Sequence, residues 1–95
     1  MEIIFDTREI NSESDFYNLL SKQHSGFCDY FGCNIDAFRD YVGLLEGDTL
    51  VFLNYDLGRI KMDNFYTKII NIINEWNAIL DKAKVDKERM IKIIM

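Results

Sequence analysis

Proline is absent from the 95 residues and glycine occurs only five times. Chain reversals must therefore rest on Asn, Asp, Ser and a few scattered glycines, and no Gly-rich phosphate loop can be assembled. The two cysteines, Cys28 and Cys33, are too few for the evenly paired framework of a small secreted scaffold, and free thiols are expected. The lone histidine, His24, forms His-x3-Cys-x4-Cys with them, three possible zinc ligands without the fourth that a structural site needs. No metal and no cofactor is expected. No stretch nears the ~18 apolar residues of a membrane span. Residues 1–6 lack the basic region and long apolar run of a secretory signal, so the expectation is cytoplasmic residence. No Ser or Cys nucleophile is set with His24 in a recognisable motif, so no enzymatic activity is expected.

Basic residues are in the minority, 11 Lys and Arg against 16 Asp and Glu, for a net charge of −5. That balance argues against nucleic acid and anionic membrane as partners, since both repel an acidic protein, and favours a cationic one. The acidity is local. From Cys28 to Asp56 the chain carries Asp29, Asp36, Asp40, Glu46, Asp48 and Asp56 against Arg39 alone. Six acids and one base leave an excess as large as that of the whole chain. The C-terminal segment is basic instead, with Lys82, Lys84, Lys87, Arg89 and Lys92, and reads as a solvated turn and strand edge.

Apolar residues make up 48% of the chain and are spread along it, enough for one compact core in a single domain over residues 1–95. Residues 1–5 carry the run Ile3-Ile4-Phe5 expected of a buried parallel strand. Ser12 to Asp15 offer a helix cap, followed by Phe16, Leu19 and Leu20 on one face, and this helix should fade near Ser25-Gly26. Asn34 is a second cap, for a helix with Ile35, Phe38 and Val42 on its apolar side and Gly43 near its end. Residues 49–53 form the second strand and 54–61 read as irregular around Gly58. Asp63 or Asn64 should cap a long helix with a core stripe of Phe65, Ile69, Ile72, Ile73, Trp76 and Leu80. Tyr55 and Tyr66 are candidates for partial exposure, and residues 90–95 close the chain as a third strand. Strands separated by helical crossovers predict an α/β fold, a small three-stranded parallel sheet packed with about four helices.

Asp36 and Asp40 carry the most functional information. Residues four apart on a helix share a face, and the apolar residues of this helix point elsewhere. Like charges at that spacing destabilise an isolated helix by roughly 0.2–0.5 kcal/mol, which the dipole partly offsets for Asp36 in the first turn. A solvated helix face and an anionic patch awaiting a cationic partner both satisfy this spacing.

The segment Tyr30-Phe31-Gly32-Cys33-Asn34-Ile35-Asp36-Ala37-Phe38-Arg39-Asp40 resembles the recognition segment of the barstar family, Tyr-Tyr-Gly-Glu-Asn-Leu-Asp-Ala-Leu-Trp-Asp. A weaker similarity joins residues 69–76, Ile-Ile-Asn-Ile-Ile-Asn-Glu-Trp, to a helix of that family, and the order of elements agrees over nearly the whole chain. The resemblance implies a small parallel sheet flanked by helices and a non-enzymatic inhibitor that binds a secreted basic ribonuclease of barnase type one-to-one. It implies that Asp40 takes the place of an RNA phosphate and that Asp36 adds a second charge. Tyr30, Gly32 and Asn34 would lie near the contact surface, and Glu75 would be a further acidic contact. The active site of such an enzyme gathers Arg, Lys and His to hold phosphate, and the same donors can hold carboxylates. Attraction between acidic inhibitor and basic enzyme raises the encounter rate, as in the barnase–barstar pair itself. This chain departs from the pattern at Arg39, where the family has an aromatic Trp, at Leu44-Leu45, and in about seven extra residues before the last strand. Two other functions have specific motives. Arg39 suggests a related immunity or interaction module aimed at a different toxin or regulatory partner. Asp36, Asp40 and Glu75 together suggest a small hydrolase using a divalent cation.

Overall fold

A computed structural model of the chain describes residues 1–27 and 33–95. Its three strands, β1 (Glu2–Asp6), β2 (Thr49–Leu53) and β3 (Lys92–Ile94), form one parallel sheet in the order β1-β2-β3. The helices are α1 (Glu13–Gln23), α2 (Ile35–Tyr41) and α3 (Tyr55–Lys82). This is the expected α/β architecture, with three α-helices among the described residues in place of about four. Both crossovers are helical, which parallel neighbours require. Among the described residues no helix is long and apolar enough to cross a membrane.

The register places Ile3 beside Leu50 and Leu50 beside Ile93, with Phe5 beside Phe52. These alternate residues point to the helices, and Ile3, Phe5, Leu50 and Phe52 are fully or almost fully buried. The opposite face is open. Ile4 is 45% and Ile94 52% exposed, so the apolar run of β1 is not buried on both faces as its composition predicted. The helices cover one side of the sheet, and the strand alternates accordingly.

Phe16 of α1 knits the layers together. Its ring lies 4.5 Å from Phe5 of β1, 6.2 Å from Phe38 of α2 and 5.2 Å from Phe65 of α3, centroid to centroid. Such aromatic pairs add to the stabilisation that their buried area supplies. Tyr66 joins this core and is wholly buried, against the expectation of partial exposure, while Tyr55 is half-buried.

The caps are where the side-chain oxygens predicted them. Ser12 Oγ accepts from the Asp15 N–H at 3.2 Å while the Asp15 carboxylate accepts from the Asn11 N–H at 2.9 Å. Asn34 Oδ1 accepts from the Ala37 N–H at 2.8 Å. Both satisfy donors that a helix start leaves unpaired. The third start is different. Residues 55–61 are helical, not irregular, and α3 begins eight or nine residues before the predicted cap, changing direction at Met62 (φ −144°, ψ 45°). Asn54 enters it in the left-handed region (φ 55°), its amide donating to Asp6 at 3.1 Å. Gly58 lets this first part of α3 lie against buried Thr7, whose hydroxyl reaches the Leu53 and Asn54 carbonyls at the end of β2.

Side-chain amides cap both outer edges of the sheet. Gln23 Nε2 donates to the Ile4 carbonyl and Gln23 Oε1 accepts from the Ile4 N–H, each at 2.8 Å. Asn77 does the same for Ile91, just before β3, at 2.8 and 2.9 Å. Each amide reproduces the hydrogen bonds of a neighbouring strand and blunts an edge that could otherwise recruit another chain.

Candidate functional site

The face that α2 offers to solvent follows from what it buries. Phe38 is wholly buried and Val42, one turn on, is 2% exposed, while Ile35 and Ala37 pack against the core. Asp36, Arg39 and Asp40 are thereby left on the exposed side of the helix. Among the described residues neither aspartate enters an ion pair, so both carboxylates are available to an incoming partner. Asp36 sits in the first turn, where the helix dipole favours an anion. Asp40, near the end of α2, lacks that support.

Other acids of the same stretch serve the fold. Glu46 pairs with Arg89 at 2.8 Å, tying the end of the 3-10 turn Val42–Leu45 to the chain before β3. Asp48 binds the N-terminal ammonium at 3.0 Å and lies 3.5 Å from His24 Nε2. His24 is the C-cap of α1 and partly buried. Its Nδ1 accepts from the Gly26 N–H at 3.0 Å, which places the ring proton on Nε2, 3.1 Å from the Leu44 carbonyl. This histidine holds a turn in place, a structural role that its solitary position in the sequence did not reveal. Among the described residues no three His, Cys, Asp or Glu side chains converge to hold a metal ion. The carboxylates of Asp36, Asp40 and Glu75 do not form such a cluster.

Arg39 and Glu75, far apart in sequence, meet at one cleft. Arg39 of α2 and Val42 of the turn that follows it form one side, and Ile72, Glu75, Trp76 and Ile79 of α3 the other, around a volume of about 220 Å³. Ile72 is buried, Trp76 is half-buried, and Ile79 is 55% exposed. Gly43 brings the two elements together, since a Cβ there would lie 3.0 Å from Cζ2 of the Trp76 ring. Trp76, expected as core, therefore forms a wall of a surface cleft. With Ile79 it is the part of this surface that sequence reasoning missed. The Ile-rich helical stripe was visible, but which of its members α2 would leave uncovered was not.

Each residue singled out in the sequence can now be placed. Asn34 is exposed and caps α2. Asp36 and Asp40 share the exposed side of α2, and Arg39 and Glu75 face each other across the α2–α3 cleft. Tyr30, Gly32 and Cys28 lie outside the described residues. Cys33 is exposed, with φ 52°.

A protein-family model described as Barstar (barnase inhibitor) matches residues 1–92. No curated protein matches the chain.

Proposed function

The chain belongs to the barstar family, and on that premise we propose that it is a ribonuclease inhibitor that closes the active site of a secreted basic enzyme of barnase type. The whole chain, residues 1–95, acts as one domain in the cytoplasm, binding its target one-to-one without cofactor, metal, nucleic acid or membrane. Asp40 takes the position of an RNA phosphate among the cationic groups of the enzyme, and Asp36 and Glu75 supply further charge. Tyr30, Gly32 and Asn34 flank this contact and Arg39 borders it.

The observation that carries this reading is the state of the two α2 carboxylates, exposed and in no ion pair among the described residues, whereas Glu46 and Asp48 of the same acidic stretch are engaged within the fold. An anion already neutralised within its own molecule would have little to offer a cationic site. Free carboxylates can form charge-assisted hydrogen bonds with the donors that hold phosphate. Arg39 favours a second reading, the same surface directed at a different toxin or regulatory protein, because a cation at this position changes which partner fits.

Titration of the purified chain into barnase, followed by cleavage of a fluorogenic RNA, tests the proposal. Inhibition should saturate at one equivalent and weaken as salt rises, since screening shortens the reach of the charges to ~8–10 Å at 0.10–0.15 M. Absence of inhibition, together with recovery of a stable non-nuclease partner from the native cell, would favour the second reading.

A further inference from the structure

Arg39 is a cation among acids that do not neutralise it. Asp36 precedes it by about one helical turn, Asp40 follows it in the chain, and Glu75 stands across the cleft, yet among the described residues Arg39 makes no ion pair. Its guanidinium keeps its fork of donors for a ligand. The cleft it borders is lined mainly by apolar groups, with Val42 and Ile72 buried and Trp76 and Ile79 reaching the surface. A partner face that was cationic throughout would be attracted by Asp36, Asp40 and Glu75 and repelled by Arg39. Complementarity across this surface requires the opposite sign at that one place.

We infer that the α2–α3 cleft receives an apolar side chain of the bound ribonuclease and that Arg39 pairs with a carboxylate beside it. The target is thus a basic enzyme whose rim carries one acidic residue, and Arg39 determines specificity within the family. This inference rests on the inhibitor reading and adds the chemistry of the partner at one position. A guanidinium and a carboxylate meeting at the edge of an apolar contact are shielded from water, which strengthens the pair relative to one on an open surface.

The test uses barnase and a set of barnase variants, each with one Glu introduced on the surface around its active site. At least one Glu variant should be bound by the wild-type chain at least about tenfold more tightly than barnase, near the lower end of the coupling between close charge pairs of the barnase–barstar interface itself. That gain should vanish with Arg39→Gln and become a loss with Arg39→Glu. Both changes are at an exposed position, so neither threatens the fold. Trp76 is the chain's single tryptophan, and its indole N–H resonance in the 15N-labelled chain should shift in the tightened complex. A gain that survives Arg39→Gln, or no gain in any Glu variant, would overturn the inference. Inhibition of barnase that Asp40→Ala abolishes would show the inhibitor reading standing while this one falls. No inhibition in any arm would overturn both.

Discussion

Gly58 and Thr7 are packed so closely that a Cβ on the glycine would lie 2.5 Å from the Cβ of the threonine. This contact seats the first turns of α3 against the chain leaving β1. The atom in the way belongs to the root of a buried side chain, which cannot swing aside. Gly58→Ala should therefore destabilise the fold by about 1–3 kcal/mol through overpacking, although alanine is intrinsically the better helix former by ~1 kcal/mol. A fall in melting temperature of roughly 4–8 °C per kcal/mol is the expected result. A variant as stable as the parent would show that the helix moves away at no cost.

Burial pushes the Tyr66 hydroxyl up to about 12, and burial also raises Tyr17 above the ordinary tyrosine range. In the unfolded chain these groups ionise near pH 10. Between about pH 10 and 12 the unfolded state therefore holds fewer protons than the folded one, and stability falls as pH rises. Stability supplied by the neutral phenol is full below pH 10. The Tyr66 hydroxyl has no hydrogen-bond partner among the described residues. Tyr66→Phe should leave stability at pH 7 unchanged or raise it by about 1 kcal/mol, and should flatten part of the alkaline decline, with Tyr17 responsible for the remainder. Urea midpoints at pH 7 and pH 11 measure both effects. A loss of more than about 1 kcal/mol at pH 7, or an unaltered alkaline slope, would contradict this account.

Local chemistry made much of the fold legible. Ser12 and Asn34 are caps because their side chains satisfy helix N–H groups, and residues 49–53 are a strand as their β-branched, apolar run predicted. The failures came from contacts distant in sequence. Gly58 made residues 54–61 look irregular because glycine is a poor helix former, whereas here its missing side chain is what allows a helix to lie against Thr7. Ile4 looked buried because its neighbours are apolar, and only the placement of every helix on one side of the sheet left it exposed. On the candidate surface, the spacing of Asp36 and Asp40 placed both on one side of α2. The cleft of Arg39, Glu75 and Trp76 exists only because Gly43 lets α2 and its following turn approach α3. No pattern along the chain encodes that approach.

The most direct measurement is calorimetric titration of barnase with the wild-type chain and with Asp40→Ala, Asp36→Ala and Glu75→Ala. All three residues are exposed, so truncation removes charge without opening the core. If α2 stands in for RNA, Asp40→Ala should cost at least about 2 kcal/mol, a hot-spot threshold drawn in part from this family, with smaller losses for the other two. An Asp40→Ala variant that binds as tightly as the parent would contradict the phosphate-mimicking role of that carboxylate.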